Sequence, residues 1–292
     1  MIPKEKIMKV IVIGAGQMGG GIAQVMASIG KTTYLNDINF NLVNSRLAFI
    51  ESILTKDVGK EKITKDQKTA TLNNLIPSTD IRDAEECDLV IEAVTEKMEV
   101  KSEIFKKLDA ITAPSCIFAT NTSSLSITEL ATYTERPGKV VGMHFVNPVP
   151  VMKLVEIIRG QLTTDETLTF ARDLAIELGK TPVEVRDVPG FVSNRVLQVM
   201  INEAIYCLSE GVASAEDIDT VMKLGMNHPM GPLQLADLIG LDTVLSILEV
   251  MQSGYRDSKY RPCPLLRQYV NAGWLGRKSG RGFYIYSSGI ER

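Results

Sequence analysis

Several kinds of residue are scarce in this chain of 292 residues. Histidine occurs twice and tryptophan once. The four cysteines, Cys87, Cys116, Cys207 and Cys263, lie far apart, with neither CxxC nor zinc-ligand spacing. No metal site is expected from them, and they read as reduced thiols of a cytoplasmic protein. No apolar run approaches the roughly 20 residues of a membrane-spanning helix. The first residues, MIPKEKIMKVIVIGAGQMGG, place lysines before an apolar stretch, but that stretch is short and runs into glycines without a cleavage site, so no export signal is expected. Charge of one sign is not in excess either: the net charge is −3. A broad cationic surface for nucleic acid or anionic lipid is therefore not expected.

What the chain does contain is a regular alternation in its first half. Lys9–Ile13, KVIVI, is a β-branched run suited to a strand buried on both faces. It leads into Gly14, Ala15, Gly16, Gln17, Met18 and Gly19, and then into a segment with helical spacing at Ile22, Val25, Met26 and Ile29. Strand, GxGxxG and helix in this order are the context that a dinucleotide-binding turn requires. Gly14 allows the tight turn, Gly16 the approach of a pyrophosphate, and Gly19 close helix packing. The helix N-terminus offers N–H groups to the phosphates. A second strand, TTYLND, ends at Asp37, eighteen residues after Gly19, where a carboxylate can accept hydrogen bonds from an adenosine ribose.

Further strands are expected at 88–94, 116–120, 139–145, 153–158 and 181–185, with helices between the earlier ones. This pattern is that of an α/β protein with a Rossmann-like, doubly wound, mostly parallel sheet. The segment from Asn39 to Asn74 is too long for a simple crossover and reads as a helical hairpin broken near Gly59. After Pro189-Gly190 the pattern becomes helical, which sets a boundary between a nucleotide-binding domain, 1–189, and an all-α domain, 190–292. Three helices are expected there: one from Phe191 to Leu208, one capped by Ser214, and one over PLQLADLIGLDTVLSILEVMQSG. The first carries apolar residues on more than one face, including Val192, Val196 and Ile201. About 100 residues can hardly cover it, so a homodimer or higher homo-oligomer is expected.

One of the two histidines, His144, stands in HFVNPVPVMKLVEI, twelve positions before Glu156. Two adjacent strands joined by the turn Asn147-Pro148-Val149-Pro150 bring the two side chains together. Histidine suits general acid–base work because its ordinary pKa lies near neutrality, and a carboxylate on its far nitrogen fixes the tautomer. A core histidine satisfied by a glutamate gives the same pattern without chemistry.

The segments GAGQMGGGIAQ, NTSSLSITEL, GMHFVNPVPVMKLVEII, PGFVSNRVL, HPMGPLQLADLIGLDT and GRKSGRGFYIY occur in this order. Together they resemble the short-chain L-3-hydroxyacyl-CoA dehydrogenase family, and within it the bacterial 3-hydroxybutyryl-CoA branch, from about Lys9 to Tyr286. The resemblance implies interconversion of a 3-hydroxyacyl-CoA and a 3-ketoacyl-CoA with NAD, NADP being used by some relatives. It implies His144 as the catalytic base, Glu156 as its partner, and Ser123 and Asn194 as substrate contacts. Asn121, Glu96 and Lys101 match cofactor contacts, as do Gln17 and Met18 in the glycine turn, with Asn147 beside them. Lys56 and Lys60 match a basic patch for the phosphates of coenzyme A, diluted here by Asp57 and Glu61. His228 matches no catalytic position. A nicotinamide-binding sensor without chemistry shares the fold, but it has no reason to keep Ser123, His144, Glu156 and Asn194 together. Asp37 repels a 2′-phosphate, and with Arg46 more than two helical turns into the next segment no arginine answers one, so NAD is the expected cofactor.

Overall fold

The computed structural model of the chain describes residues 8–286. The chain divides after Asp187 into two units.

In the first unit an eight-stranded sheet runs in the order β3-β2-β1-β4-β5-β6-β7-β8. Its strands are β1 (Lys9–Ile13), β2 (Thr32–Asn36), β3 (Leu75–Ser78), β4 (Leu89–Glu92), β5 (Ile117–Thr120), β6 (Val140–Phe145), β7 (Leu154–Arg159) and β8 (Thr181–Arg186). All neighbours are parallel except β6 and β7, which form an antiparallel pair. Val10, Ile11 and Val12 of β1 are fully buried, each contributing about 1.5–3 kcal/mol of transfer free energy as an upper figure. Burial on both faces is why this strand reads as an unbroken apolar run rather than an alternating one.

The helices are α1 (Gln17–Ser28), α2 (Phe40–Gly59), α3 (Lys65–Asn73), α4 (Met98–Ile111), α5 (Ile127–Ala131) and α6 (Asp165–Glu177). The long segment after β2 is the expected helical hairpin: α2 and α3 pack against each other and against α1. Both start on side-chain caps. Asn39 accepts from the N–H groups of Asn41 and Leu42, and Thr64 forms a capping box with Gln67. A cap of this kind contributes about 1 kcal/mol, and at Asn39 it fixes the place where the chain turns from β2 into α2, just beyond Asp37.

β3 is not among the strands expected from the sequence. Its four residues, LIPS, are short and carry Pro77, which argues against a central strand; the segment is an edge strand, parallel to β2 alone.

The second unit contains α7 (Ser193–Ser209), α8 (Ala215–Gly225), α9 (Pro232–Ile239), α10 (Leu241–Tyr255) and α11 (Pro264–Asn271) around a core that includes Ile201, Ile205, Leu233, Val244 and Leu248. The single helix expected over PLQLADLIGLDTVLSILEVMQSG is two, α9 and α10. They are divided at Gly240, whose φ of +102° no helix accommodates. Ser214 caps α8, accepting from the Asp217 N–H at 3.1 Å. Two buried carboxylates hold the last described residues. Asp237 accepts from the N–H groups of Phe283 and Tyr284 and from the Tyr286 hydroxyl. Asp219 accepts from the N–H groups of Leu233 and Gln234 and from the Tyr284 hydroxyl. On α7 the inward face is Gln198, Ile201, Asn202, Ala204 and Ile205, whereas Val196 is 67% exposed.

Candidate active site

Two of the three glycines of the turn are fixed by packing, and the third faces open space. Gly14 has φ +107°, and a Cβ there would lie 2.6 Å from the Ala93 carbonyl oxygen; one on Gly19 would lie 1.8 Å from the Gly14 carbonyl oxygen. Those two glycines are required by packing alone. Around Gly16 nothing lies within 4 Å of such a Cβ, so its missing side chain leaves a space beside the first turn of α1. Gly16 is the N-cap of α1, and no side chain caps that end. Open space and unsatisfied N–H groups together fit a dinucleotide pyrophosphate. Gln17 is exposed and Met18 half-buried against the core. The Gln17 amide donates to Asn147 Oδ1 at 3.0 Å, which ties this turn to the loop between β6 and β7.

Asp37, just past β2, has both oxygens engaged by backbone. Oδ2 accepts from the Ala15 N–H at 2.9 Å and Oδ1 from the Asn39 N–H at 3.1 Å. The carboxylate is thereby oriented at the carboxyl edge of the sheet.

Beyond β4 and β5 lies a charged network in which Lys101 and Glu92 are buried and the Glu96 side chain is 36% exposed. Lys101, 1% exposed on α4, points its ammonium at Glu92 at 2.7 and 2.9 Å and at Glu96 at 3.3 Å. Glu92 also accepts from the Thr120 hydroxyl and the Val94 N–H. Glu96 Oε1 accepts from the Thr122 hydroxyl at 2.6 Å, the Ser123 N–H at 2.8 Å and hydroxyl at 3.2 Å, and the Ser124 N–H at 3.0 Å. Burial pushes the Glu96 carboxyl up, but the Lys101 ammonium and the bonds from Thr122 and Ser123 outweigh it and hold the group below the ordinary carboxylate range. Lys101 thus joins Glu92 and Glu96. Ser123 is set by Glu96, and the cap of α5 that follows is Ser126.

His144 and Glu156 are directly opposite each other in the antiparallel register of β6 and β7. His144 Nδ1 and Glu156 Oε2 are 2.8 Å apart, with side chains 13% and 2% exposed. An ionised carboxylate at that distance takes its hydrogen bond from Nδ1–H, which puts the ring's lone pair on Nε2. Asn121 Oδ1 accepts from the N–H of Phe145, next to the histidine, at 2.9 Å. The connecting turn is braced by Lys180, whose ammonium donates to the carbonyls of Val149 and Met152. A side chain on Gly21 of α1 would meet Val149 at 2.9 Å. A hairpin held at both sides keeps the histidine's position fixed.

Asn194 is in the first turn of α7 in the second unit, 9% exposed, with the Gln198 amide 3.5 Å from its Oδ1. Lys56 and Lys60 are exposed at the end of α2. Asp57 pairs with Lys62 at 3.5 Å.

Several residues of this site were not foreseen from the sequence. The clearest is Glu92, a charged residue in the otherwise apolar strand LVIE. A carboxylate in a strand buried on both faces demands a cation or several donors, and that demand was the available signal.

Known proteins bear a close likeness to this chain. The family model for the NAD binding domain of 3-hydroxyacyl-CoA dehydrogenase matches residues 9–188, and that for its C-terminal domain residues 190–286. A probable 3-hydroxybutyryl-CoA dehydrogenase of Bacillus subtilis is 58% identical over 281 residues, covering 96% of this chain and 98% of its own. The human mitochondrial hydroxyacyl-coenzyme A dehydrogenase is 43% identical, over 97% of this chain and 93% of its own. The crystal structure of (S)-3-hydroxybutyryl-CoA dehydrogenase from Ralstonia eutropha superposes with a TM-score of 0.94 at 49% identity, covering 97% of this chain and 100% of that one.

Proposed function

Because the chain belongs to the 3-hydroxyacyl-CoA dehydrogenase family and is an NAD-dependent dehydrogenase, we propose that it interconverts (S)-3-hydroxybutyryl-CoA and acetoacetyl-CoA, with His144 moving the proton. The observation that carries this reading is the 2.8 Å contact between His144 Nδ1 and Glu156.

Oxidation of C3 breaks a C–H and an O–H bond and forms a carbonyl. A nicotinamide dinucleotide held by the glycine turn and Asp37 would supply the hydride acceptor in oxidation and the donor in reduction. Removal of the hydroxyl proton falls to His144 Nε2, and the ionised Glu156 stabilises the imidazolium that results. In reduction the same nitrogen returns the proton. Ser123 and Asn194 hold the reacting oxygen and its surroundings. Ser123 is itself oriented by Glu96, whose charge Lys101 maintains. On the cofactor side, the turn from Gly14 to Gly19 takes the pyrophosphate, Asp37 the adenosine ribose, and Glu96, Asn121 and Asn147 the nicotinamide half. Lys56 and Lys60 serve the coenzyme A phosphates. Residues 1–189 form the NAD-binding domain, which also carries Ser123 and the proton-moving His144, and residues 190–292 the helical domain for substrate, through Asn194, and for dimerisation.

A homodimer is favoured by exposed apolar side chains on the second unit, among them Val196, Val221, Leu224 and Met226. Among the described residues no helix is long and apolar enough to cross a membrane, and all four cysteines are free thiols. The enzyme is read as cytoplasmic on the strength of those thiols.

Steady-state reduction of acetoacetyl-CoA by NADH tests the proposal. Turnover that the (S)-product alone supports in reverse is expected. Absence of turnover with any 3-ketoacyl-CoA tested would refute it. Light scattering on the same sample should give a dimer or larger, and a stable active monomer would refute that part.

A further inference from the structure

Arg46 stands nine residues beyond Asp37 in the sequence, inside a helix. In space α2 brings it back onto the glycine turn. Its Nε donates to the Ala15 carbonyl at 3.3 Å, while the N–H of the same Ala15 donates to the Asp37 carboxylate at 2.9 Å. Two bonds to one residue put the Asp37 carboxylate and the Arg46 guanidinium within about 10 Å of each other.

The arginine is also held in place. Its stem lies across Gly20, where a Cβ would sit 2.2 Å from Arg46 Cδ, and its guanidinium rests 5.2 Å from the centroid of the Phe49 ring. The side chain is half-buried, and no carboxylate among the described residues pairs with it. A guanidinium offers five N–H donors, of which the bond to Ala15 uses one. A fixed, partly desolvated guanidinium with unused donors and no carboxylate paired with it among the described residues is suited to a phosphate oxygen. In a doubly wound sheet the adenosine ribose lies at the end of the second strand, and a nearby arginine accommodates a 2′-phosphate.

We propose that Arg46 and Asp37 form a cofactor-selecting pair in which Arg46 is already placed to take a ribose 2′-phosphate. Preference for NAD then rests on the Asp37 carboxylate alone, and neutralising it opens the site to the phosphorylated ribose. This rests on the assignment of Asp37 to the adenosine ribose.

Calorimetric binding of adenosine 2′,5′-bisphosphate and of adenosine 5′-monophosphate, which needs no turnover, tests the pair. In Asp37→Asn the bisphosphate should gain about 10- to 100-fold over the monophosphate, the worth of charge-assisted hydrogen bonds. Adding Arg46→Ala should abolish that gain while monophosphate binding changes less than about threefold. The ratio of kcat/KM for NADPH over NADH should follow the same order. If Asp37→Asn does not fold, Asp37→Ser replaces it in the same comparison. A gain that survives Arg46→Ala would overturn the role of Arg46 and leave the ribose assignment standing. Equal weakening of both ligands by Arg46→Ala would also overturn it, reducing the arginine to a support of the turn. If neither Asp37 variant changes the discrimination, the inference and the ribose assignment both fall.

Discussion

Each unit buries carboxylates, but the two satisfy them in different ways. In the first unit Glu92 and Glu96 share the Lys101 ammonium, and Glu156 meets an imidazole. In the second, among the described residues, Asp219 and Asp237 accept from backbone N–H groups and tyrosine hydroxyls. The electrostatic consequences are opposite. Glu96 is held below its ordinary range, whereas burial raises Asp237 above its own against the bonds from Phe283, Tyr284 and Tyr286. An acid beside a cation, as Glu96 is beside Lys101, is favoured in its charged form and can direct a ligand. An acid beside neutral donors closes local structure: Asp237 fastens the last described residues, and burial, followed by the bond to Asp237, pushes the Tyr286 phenol up to about 12.

This comparison can be broken at its most reactive pair first. Replacing His144 with alanine should lower kcat by about 10²–10⁴-fold, the usual worth of general acid–base catalysis, with NADH affinity measured by fluorescence titration close to normal. A retained kcat would place this pair with the merely structural ones. Next in size is the cation that distinguishes the two units. Lys101→Met leaves the buried Glu92 with only the Thr120 hydroxyl and the Val94 N–H as donors among the described residues, which should cost about 3–5 kcal/mol in chemical unfolding. No corresponding cation exists at Asp237 in the described contacts, where Asp237→Asn should cost only about 1–3 kcal/mol and leave kcat unchanged.

The smallest effects sharpen the contrast by their sign. With its folded pKa below the ordinary 4.5, Glu96 contributes stability that is present above that value and lost as pH falls through the lowered pKa. With its folded pKa above the ordinary 3.8, Asp237 contributes stability that is present below 3.8 and lost as pH rises through the raised pKa. Unfolding midpoints followed from pH 7 downward should show Glu96→Gln removing part of the acid-side loss and Asp237→Asn removing an acid-side gain. Shifts of the same sign would erase the distinction.

Much of the first unit was legible because its signals are local. The run KVIVI, the glycines after it and Asp37 lie within one strand–helix–strand unit, and the distance from His144 to Glu156 is that of a hairpin. What escaped depends on contacts distant in sequence. The edge strand at Leu75–Ser78 exists because β2 has a side for it to join. Gly240 breaks a helix that its flanking sequence would otherwise continue. Arg46 looked too remote from Asp37 for a shared site, since spacing along a helix gives no account of a side chain turning back to Ala15. The expected cover for α7 is also incomplete: Val196 remains open on the described surface. Asn194, Lys56 and Lys60 rest on the family resemblance and on their residue types.

The central claim is that His144 takes the proton in oxidation and returns it in reduction. It is tested most directly by the pH dependence of kcat/KM in both directions, for the parent and for His144→Asn. The parent should show limbs of opposite slope with a shared midpoint, activity rising with pH in oxidation and falling in reduction. Asparagine cannot titrate, so both limbs should vanish from the residual activity of the variant. Limbs that persist in His144→Asn would contradict the account and assign the proton to another group.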